Sequence, residues 1–230
     1  LLTDSNKDLS EAFNWGYEPA YDPVYAEENK HLRSANVWPE SMPPEMKEDL
    51  MKYWQQLLSW SRKMTQIMAL ALHMPENHFD EYVKRPEAGM RIMHYPKQEA
   101  SADDQNGIGA HTDFTAFTTV TQDENGGLEV LSKSGEWIKV KPIPGAFVIN
   151  IGDCLMRQTN DFFVSTIHRV INKTGVERFS VPFFFGFNRD MDLVPIPSCV
   201  SAENPAKYPL MTAGEYVKFR ANTTKLTKSS

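Results

Sequence analysis

"GIGAHTDFTAFTTVTQ", residues 107–122, sets His111 and Asp113 two positions apart at the mouth of a run rich in Thr, Phe and Val. Residues of that kind fit a pleated, half-buried strand. On a strand, positions i and i+2 project from one face, whereas on a helix they diverge by about 200° around the axis. Read as a strand, 107–122 lets the imidazole and the carboxylate share one metal ion. The chain carries its own decoy, His78-Phe79-Asp80, inside "PENHFDEYVKRP" (75–86). That stretch reads as a short helix capped by Asn77, where the two side chains point apart.

Outward from this stretch the texture stays that of strands. "MRIMHY", "TAFTTVTQ", "GLEVLS", "EWIKVKPI", "GAFVINIG", "FVSTIHRVIN" and "RFSVPFFFGFN" are short runs of β-branched and aromatic residues, separated by the turn signals "ENGG", "KSGE", "PIPG" and "NKTG". Seven such runs predict a mainly β fold, an antiparallel sandwich or barrel with flanking helices. Ahead of them, "PPEMKEDLMKYWQQLLSWSRKMTQIMALALH" starts with prolines suited to a helix start. Leu50, Trp54, Leu57, Leu58, Met64 and Met68 then recur at spacings of three and four, the stripe of a long amphipathic helix. The organisation read from this is a loop and lid region over 1–42, helical support over 43–89, a catalytic β core over 90–215, and a C-terminal helix and tail over 216–230.

Composition narrows the function. The 230 residues suffice for one large core, and the net charge is -6 with both signs mixed along the chain. There is no basic stripe to track phosphates, so nucleic acid is excluded as a partner. No apolar run reaches membrane-spanning length and no signal peptide is visible, so the expectation is a cytoplasmic protein with no membrane partner. Two cysteines, Cys154 and Cys199, make no disulfide framework and read as free thiols in a reducing compartment. No heptads or interface stripe reveal an oligomeric state.

A third ligand is available in "VSTIHRVIN", where Val164, Thr166, His168 and Val170 share one strand face. Two imidazoles and one carboxylate are the ligand set of a non-haem Fe(II) site with coordination positions left open. Ten residues beyond His168, Arg178 and Ser180 again sit at i and i+2 of a strand. An inward Arg on an apolar strand is costly unless it meets an anion. A guanidinium fork beside a hydroxyl suits a carboxylate, which Arg binds in bidentate fashion.

These residues resemble the isopenicillin N synthase-like branch of the 2-oxoglutarate/Fe(II)-dependent oxygenases. The resemblance runs through His111-x-Asp113, His168 and Arg178-x-Ser180, and through "NVWPE" (36–40), "MHYP" (93–96) and the segments around both metal-binding strands, from about residue 9 to 220. It implies a double-stranded β-helix of the jelly-roll or cupin-like kind. It implies iron held by His111, Asp113 and His168, the distal carboxylate of 2-oxoglutarate held by Arg178 and Ser180, and Tyr95 assisting there. O2 is the implied oxidant, with ascorbate as an additional reductant. Asn150 and Asp153 of "NIGD" match a structural turn and are given no chemistry.

The implied reaction is oxidation of an unactivated C–H bond of a small, partly hydrophobic metabolite, by hydroxylation, desaturation or ring rearrangement, with succinate and CO2 as co-products. Secondary metabolism is the implied setting. Phe114, Phe117, Phe185 and Phe187 are expected to line the substrate pocket, with "FNWGYEPAY" (13–21) as a lid. The sequence departs from the family at Met93, where plant members carry Asn, and in "KQEASADDQ" (97–105), which replaces a proline-rich plant stretch and points to a fungal or bacterial type. The resemblance also implies an N-terminal segment of some tens of residues ahead of Leu1, cut away or unobserved. Two other readings stay open: an iron-dependent oxidase of the same fold whose Arg178 and Ser180 hold the substrate's own carboxylate, and a non-catalytic protein that binds a metal or a small acid.

Overall fold

The computed structural model of the protein describes residues 8–32, 36–98, 106–172 and 175–226. Most of the 97–105 stretch and residues 227–230 of the tail lie outside the described residues. In chain order the strands are β1 (Glu11–Trp15), β2 (Glu87–Tyr95), β3 (Ile108–His111), β4 (Phe117–Gln122), β5 (Leu128–Leu131), β6 (Trp137–Lys139), β7 (Val148–Ile151), β8 (His168–Val170) and β9 (Arg178–Gly186). The α-helices are α1 (Ala26–Asn29), α2 (Pro44–Ala71), α3 (Asp153–Gln158) and α4 (Ala213–Leu226).

The strands form two sheets, one ordered β1-β2-β9-β4-β7 and one ordered β3-β8-β5-β6, with all strand pairs antiparallel. Their inner faces meet where Met93 and Tyr95 of β2 pack with Leu128 of β5 and Val170 of β8. This is the double-stranded β-helix that the strand runs and the family resemblance implied.

The five-stranded sheet has two faces of different character, and strand alternation assigns them. On β2, Ala88 and Met90 belong to the large apolar core with Trp54, Leu57 and Leu58 of α2. The intervening residues Arg91, Met93 and Tyr95 project to the opposite face, into the barrel. On β9, Phe183 and Phe185 join the α2 core while Arg178 and Ser180 face the barrel. On β4, Phe117 faces α2, and Thr118 and Gln122 face the barrel.

The amphipathic stripe of α2 predicts its buried face well: Trp54, Leu57, Leu58 and Met68 are buried, with Leu50 and Met64 half-buried. Trp54 is the anchor. Its indole Nε1 donates to the Ala88 carbonyl at 3.0 Å, and its ring meets Phe183 edge-on. Trp54→Phe keeps most of the apolar contact and strands that buried carbonyl, so it should lower unfolding free energy by about 2 kcal/mol in urea titration.

Three elements differ from the sequence reading. Residues 11–15, read as loop and part of a lid, form edge strand β1, whose Phe13 and Trp15 pack on Ile92 and Met90 of β2 in the α2 layer. Aromatic density disguises the strand, because its outward residues Glu11, Ala12 and Asn14 break the apolar pattern. The chain beyond β1 is tied down rather than hinged: Arg62 of α2 grips Asp22 with two bonds of 2.7 Å. "PENHFDEYVKRP" yields only a 3-10 turn over Asp80–Val83, and β2 begins already at Glu87. Helix α3 escapes a sequence reading because it is only six residues long and follows β7 with only Gly152 between them. Cys154 and Cys199 are buried free thiols.

Candidate metal and diacid site

His111 closes β3 and His168 opens β8, and the two strands pair so that these residues stand directly opposite one another. Their rings lie 4.3 Å apart, centroid to centroid. Asp113 lies just past the end of β3, not on it, so strand alternation is not what aligns it with His111. A long-range contact helps to hold it: the Asp113 carbonyl accepts from the Asp153 N–H at the start of α3 at 2.8 Å. The Asp113 Oδ1 is 3.8 Å from His111 Nε2 and 3.8 Å from His168 Nε2.

The remaining polar atoms of the three side chains are already engaged. His111 Nδ1 lies 2.8 Å from the Gly109 carbonyl, and His168 Nδ1 lies 3.1 Å from the Thr166 carbonyl. Only a protonated Nδ1 satisfies a carbonyl, so each ring presents an Nε2 lone pair. Asp113 Oδ2 accepts from Thr118 Oγ1 at 2.7 Å and from Asn150 Nδ2 at 2.8 Å. Oδ1 is left pointing at both Nε2 atoms. Burial, and next the neighbouring His168, hold the His111 imidazole below its usual pKa, which keeps the ring neutral and able to ligate. Among the described residues this is the one group of three or more His, Cys, Asp or Glu side chains with converging ligand atoms, all within 4.8 Å of one another. His78 and Asp80 of the decoy are not part of any such group.

Asn150, assigned no chemistry from sequence, therefore bears directly on the Asp113 carboxylate, as does Thr118. Register explains both: Asn150 on β7, Thr118 on β4 and Phe184 on β9 form one cross-strand row. Asn150→Ala or Thr118→Val frees the carboxylate to rotate. Either should weaken metal binding by about 10- to 100-fold, read by competition with a chelating dye.

Arg178 and Ser180 sit inward on β9, both buried. The Arg178 guanidinium bonds only neutral groups: the Gly126 carbonyl, Ser180 Oγ at 3.2 Å and Gln122 Oε1 at 3.0 Å. It also lies over the Tyr95 ring, 4.7 Å from the centroid. Tyr95 stands opposite Arg178 across the β2–β9 pair. Burial lowers the Arg178 pKa and raises that of Tyr95. Gly127 makes room for the cation: at φ +92°, a Cβ there would fall 2.7 Å from the Ile171 carbonyl and 3.3 Å from Arg178 Cδ. A buried cation with a hydroxyl beside it and no carboxylate among its partners fits the distal carboxylate of a diacid.

The expected pocket phenylalanines divide. Phe114 stays beside the metal ligands, under the Arg220 guanidinium at 4.5 Å. Phe117 and Phe185 pack on each other in the α2-facing core, and Phe187 stacks on Phe79. Phe117 and Phe185 are excluded from the barrel because they occupy the alternate positions of their strands, and Phe187 lies just past the end of β9. On β9 it is Phe184 that shares the barrel face with Ser180. His168 keeps its place, but β8 is only three residues long and Val164 is exposed, so no inward face extends back to it. Asp153 is structural: it accepts from Tyr216 at 2.9 Å and pairs with Arg220.

The family model for the 2OG-Fe(II) oxygenase superfamily matches residues 86–187, which span β2 through β9 and every residue of the two clusters above. The chain is 39% identical to the 2-oxoglutarate-Fe(II) type oxidoreductase hxnY of Emericella nidulans, covering 92% of this chain and 62% of that one. It is 34% identical to the 2-oxoglutarate-dependent dioxygenase citB of Monascus ruber, covering 94% and 68% respectively. Among solved structures, a 2OG-Fe(II) oxygenase family protein from Caulobacter crescentus superposes with TM-score 0.81 at 35% identity over 94% of this chain and 70% of that one. A Neurospora crassa protein solved in complex with alpha-KG and thymine gives TM-score 0.84 at 28% identity, over 94% and 66%. The chain belongs to the 2-oxoglutarate/Fe(II)-dependent oxygenase family. It spans roughly three-fifths to two-thirds of the length of these relatives.

Proposed function

We propose that this protein is a non-haem Fe(II)- and 2-oxoglutarate-dependent dioxygenase that oxidises a C–H bond of a small, partly hydrophobic metabolite. One observation carries the reading. Three ligand atoms converge within 4.8 Å inside the same barrel as a buried arginine whose bonded partners are all neutral. That pairing supplies an anchor for a metal and an anchor for the far end of a diacid.

His111 Nε2, His168 Nε2 and Asp113 Oδ1 would hold the ferrous ion, and Arg178, Ser180 and Tyr95 the distal carboxylate of 2-oxoglutarate. When bound, the pair supplies O2 activation coupled to oxidative decarboxylation, giving succinate and CO2. The protein's own part is position and exclusion. The Gly109 and Thr166 carbonyls fix the imidazole tautomers, and Thr118 and Asn150 fix the carboxylate. Gln122 and the Gly126 carbonyl aim the guanidinium along the barrel. Leu128, Val170 and Met93 keep water from the diacid end. The site asks no side chain to carry a proton in turnover, and no paired general acid and base are built into it.

The test is a metabolite screen with the full-length protein under air, Fe(II), 2-oxoglutarate and ascorbate, scored by succinate. Succinate release that rises with one class of metabolite supports the proposal. Oxidation of a metabolite without succinate would replace it with an oxidase that uses Arg178 for the substrate's own carboxylate.

A further inference from the structure

The arginines of this chain sort by partner. Arg62, Arg85, Arg169, Arg189 and Arg220 each pair with a protein carboxylate. Arg157 bonds the Pro209 carbonyl and lies between two tyrosine rings. Two described arginines project into the barrel from the five-stranded sheet, and neither is paired with a carboxylate there. One is Arg178, already given to the diacid. The other is Arg91.

Arg91 is placed by register. On β2 it shares the barrel face with Met93 and Tyr95, which stand opposite Ser180 and Arg178. Its guanidinium lies 5.5 Å from the centroid of Phe184. Phe184 is the cross-strand neighbour of Thr118, which bonds the ligand carboxylate of Asp113. Arg91 is therefore one side chain removed from the metal row, on the side away from β7. Unlike Arg178 it is exposed, at the open part of the barrel, where an incoming molecule can reach it. No stability argument explains it: a cation without a carboxylate partner on an inward face contributes little to folding, and a residue of any polarity could cover Phe184.

We propose that Arg91 is the substrate-recognition residue of this oxygenase, and that the molecule oxidised is a small monocarboxylate whose anionic end Arg91 grips while its apolar body lies along Phe184 toward the metal row. The inference rests on the oxygenase reading above and deepens it. A guanidinium stacked on an aromatic ring keeps its N–H edge free, and that edge matches a carboxylate. The apolar ring beneath selects for a hydrocarbon body rather than an inorganic anion. A cationic substrate would be repelled by the same group.

The test uses the full-length protein, held without oxygen, with Fe(II) and 2-oxoglutarate bound and their weak visible charge-transfer band as the signal. Benzoic, phenylacetic and cyclohexanecarboxylic acids are titrated beside their primary amides, each pair differing only in charge. At least one acid should perturb the band with ten-fold or greater preference over its amide. R91Q should erase that preference by weakening the acid at least ten-fold, with the amide moving less than three-fold. R91K should restore most of it, which a purely structural role for Arg91 would not produce. Equal response to acids and amides, no response to any acid, or a preference that survives in R91Q overturns the assignment of Arg91. A band that fails to form in the native protein before any acid is added overturns the oxygenase reading as well, so the two failures are told apart.

Discussion

Arg178→Leu should leave the protein folded and remove its use of 2-oxoglutarate. Cutting one side of a buried ion pair ordinarily strands a charge and destabilises the fold by about 3–5 kcal/mol. Among the described residues no carboxylate is hydrogen-bonded to Arg178, so none is stranded. The variant leaves three neutral acceptors, Gln122 Oε1, Ser180 Oγ and the Gly126 carbonyl, and relieves the burial of a cation whose pKa is already depressed. Unfolding free energy should therefore move by no more than about 1–2 kcal/mol. The cosubstrate meets the opposite arithmetic, because its far carboxylate would enter a dry end of the barrel without a partner. A loss of about 3–5 kcal/mol corresponds to a 10²- to 10³-fold or greater rise in its dissociation constant. Anaerobic calorimetry with 2-oxoglutarate, beside a urea titration, measures both. Cosubstrate affinity within a few-fold of native would sink the assignment of Arg178.

Asp113→Asn should abolish metal binding while sparing the fold. The two inward bonds to Asp113 Oδ2 come from donors, Thr118 Oγ1 and Asn150 Nδ2. They hold the amide oxygen of an asparagine inward, which turns its NH2 outward toward the two Nε2 atoms. A donor then stands where a ligand is needed, and the negative charge is gone. Metal affinity should fall by on the order of 10³-fold or more, beyond the 10- to 100-fold expected for losing an orienting partner. Equilibrium dialysis with Fe(II) or Co(II) reads this, and a thermal melt without metal should shift little. Asp113→Ala offers the contrast: it leaves both donors unpaired and should melt earlier than Asp113→Asn.

The sequence makes the chemistry more legible than the geometry that supports it. His111, Asp113, His168, Arg178 and Ser180 stand out because imidazoles, a carboxylate and an inward guanidinium are expensive residues for apolar strands. Composition and period are enough to flag them. Asn150, Thr118 and Gln122 do not stand out, since polar residues at strand ends are common. Their roles depend on which strand lies beside which, and register is a long-range property. Phe117, Phe185 and Phe187 show the limit in reverse. Counting on from Ser180 in steps of two assigns Phe184 to the barrel and Phe185 to the helix layer, so the information is present. Nearness in sequence to the metal ligands is a weaker guide than parity along the strand. Strand β1 is hidden because an edge strand with exposed alternate residues has the composition of a loop.

The division of labour between alternate residues has an evolutionary consequence. Along β2 and β9, one set of positions is committed to the interior packed against the long helix, where any change of volume propagates. The other set opens onto the cavity and can drift without disturbing that packing. A lineage can therefore exchange Arg91 or Phe184 with little disturbance of that packing. This architecture separates inventing a specificity from surviving the mutations that create it.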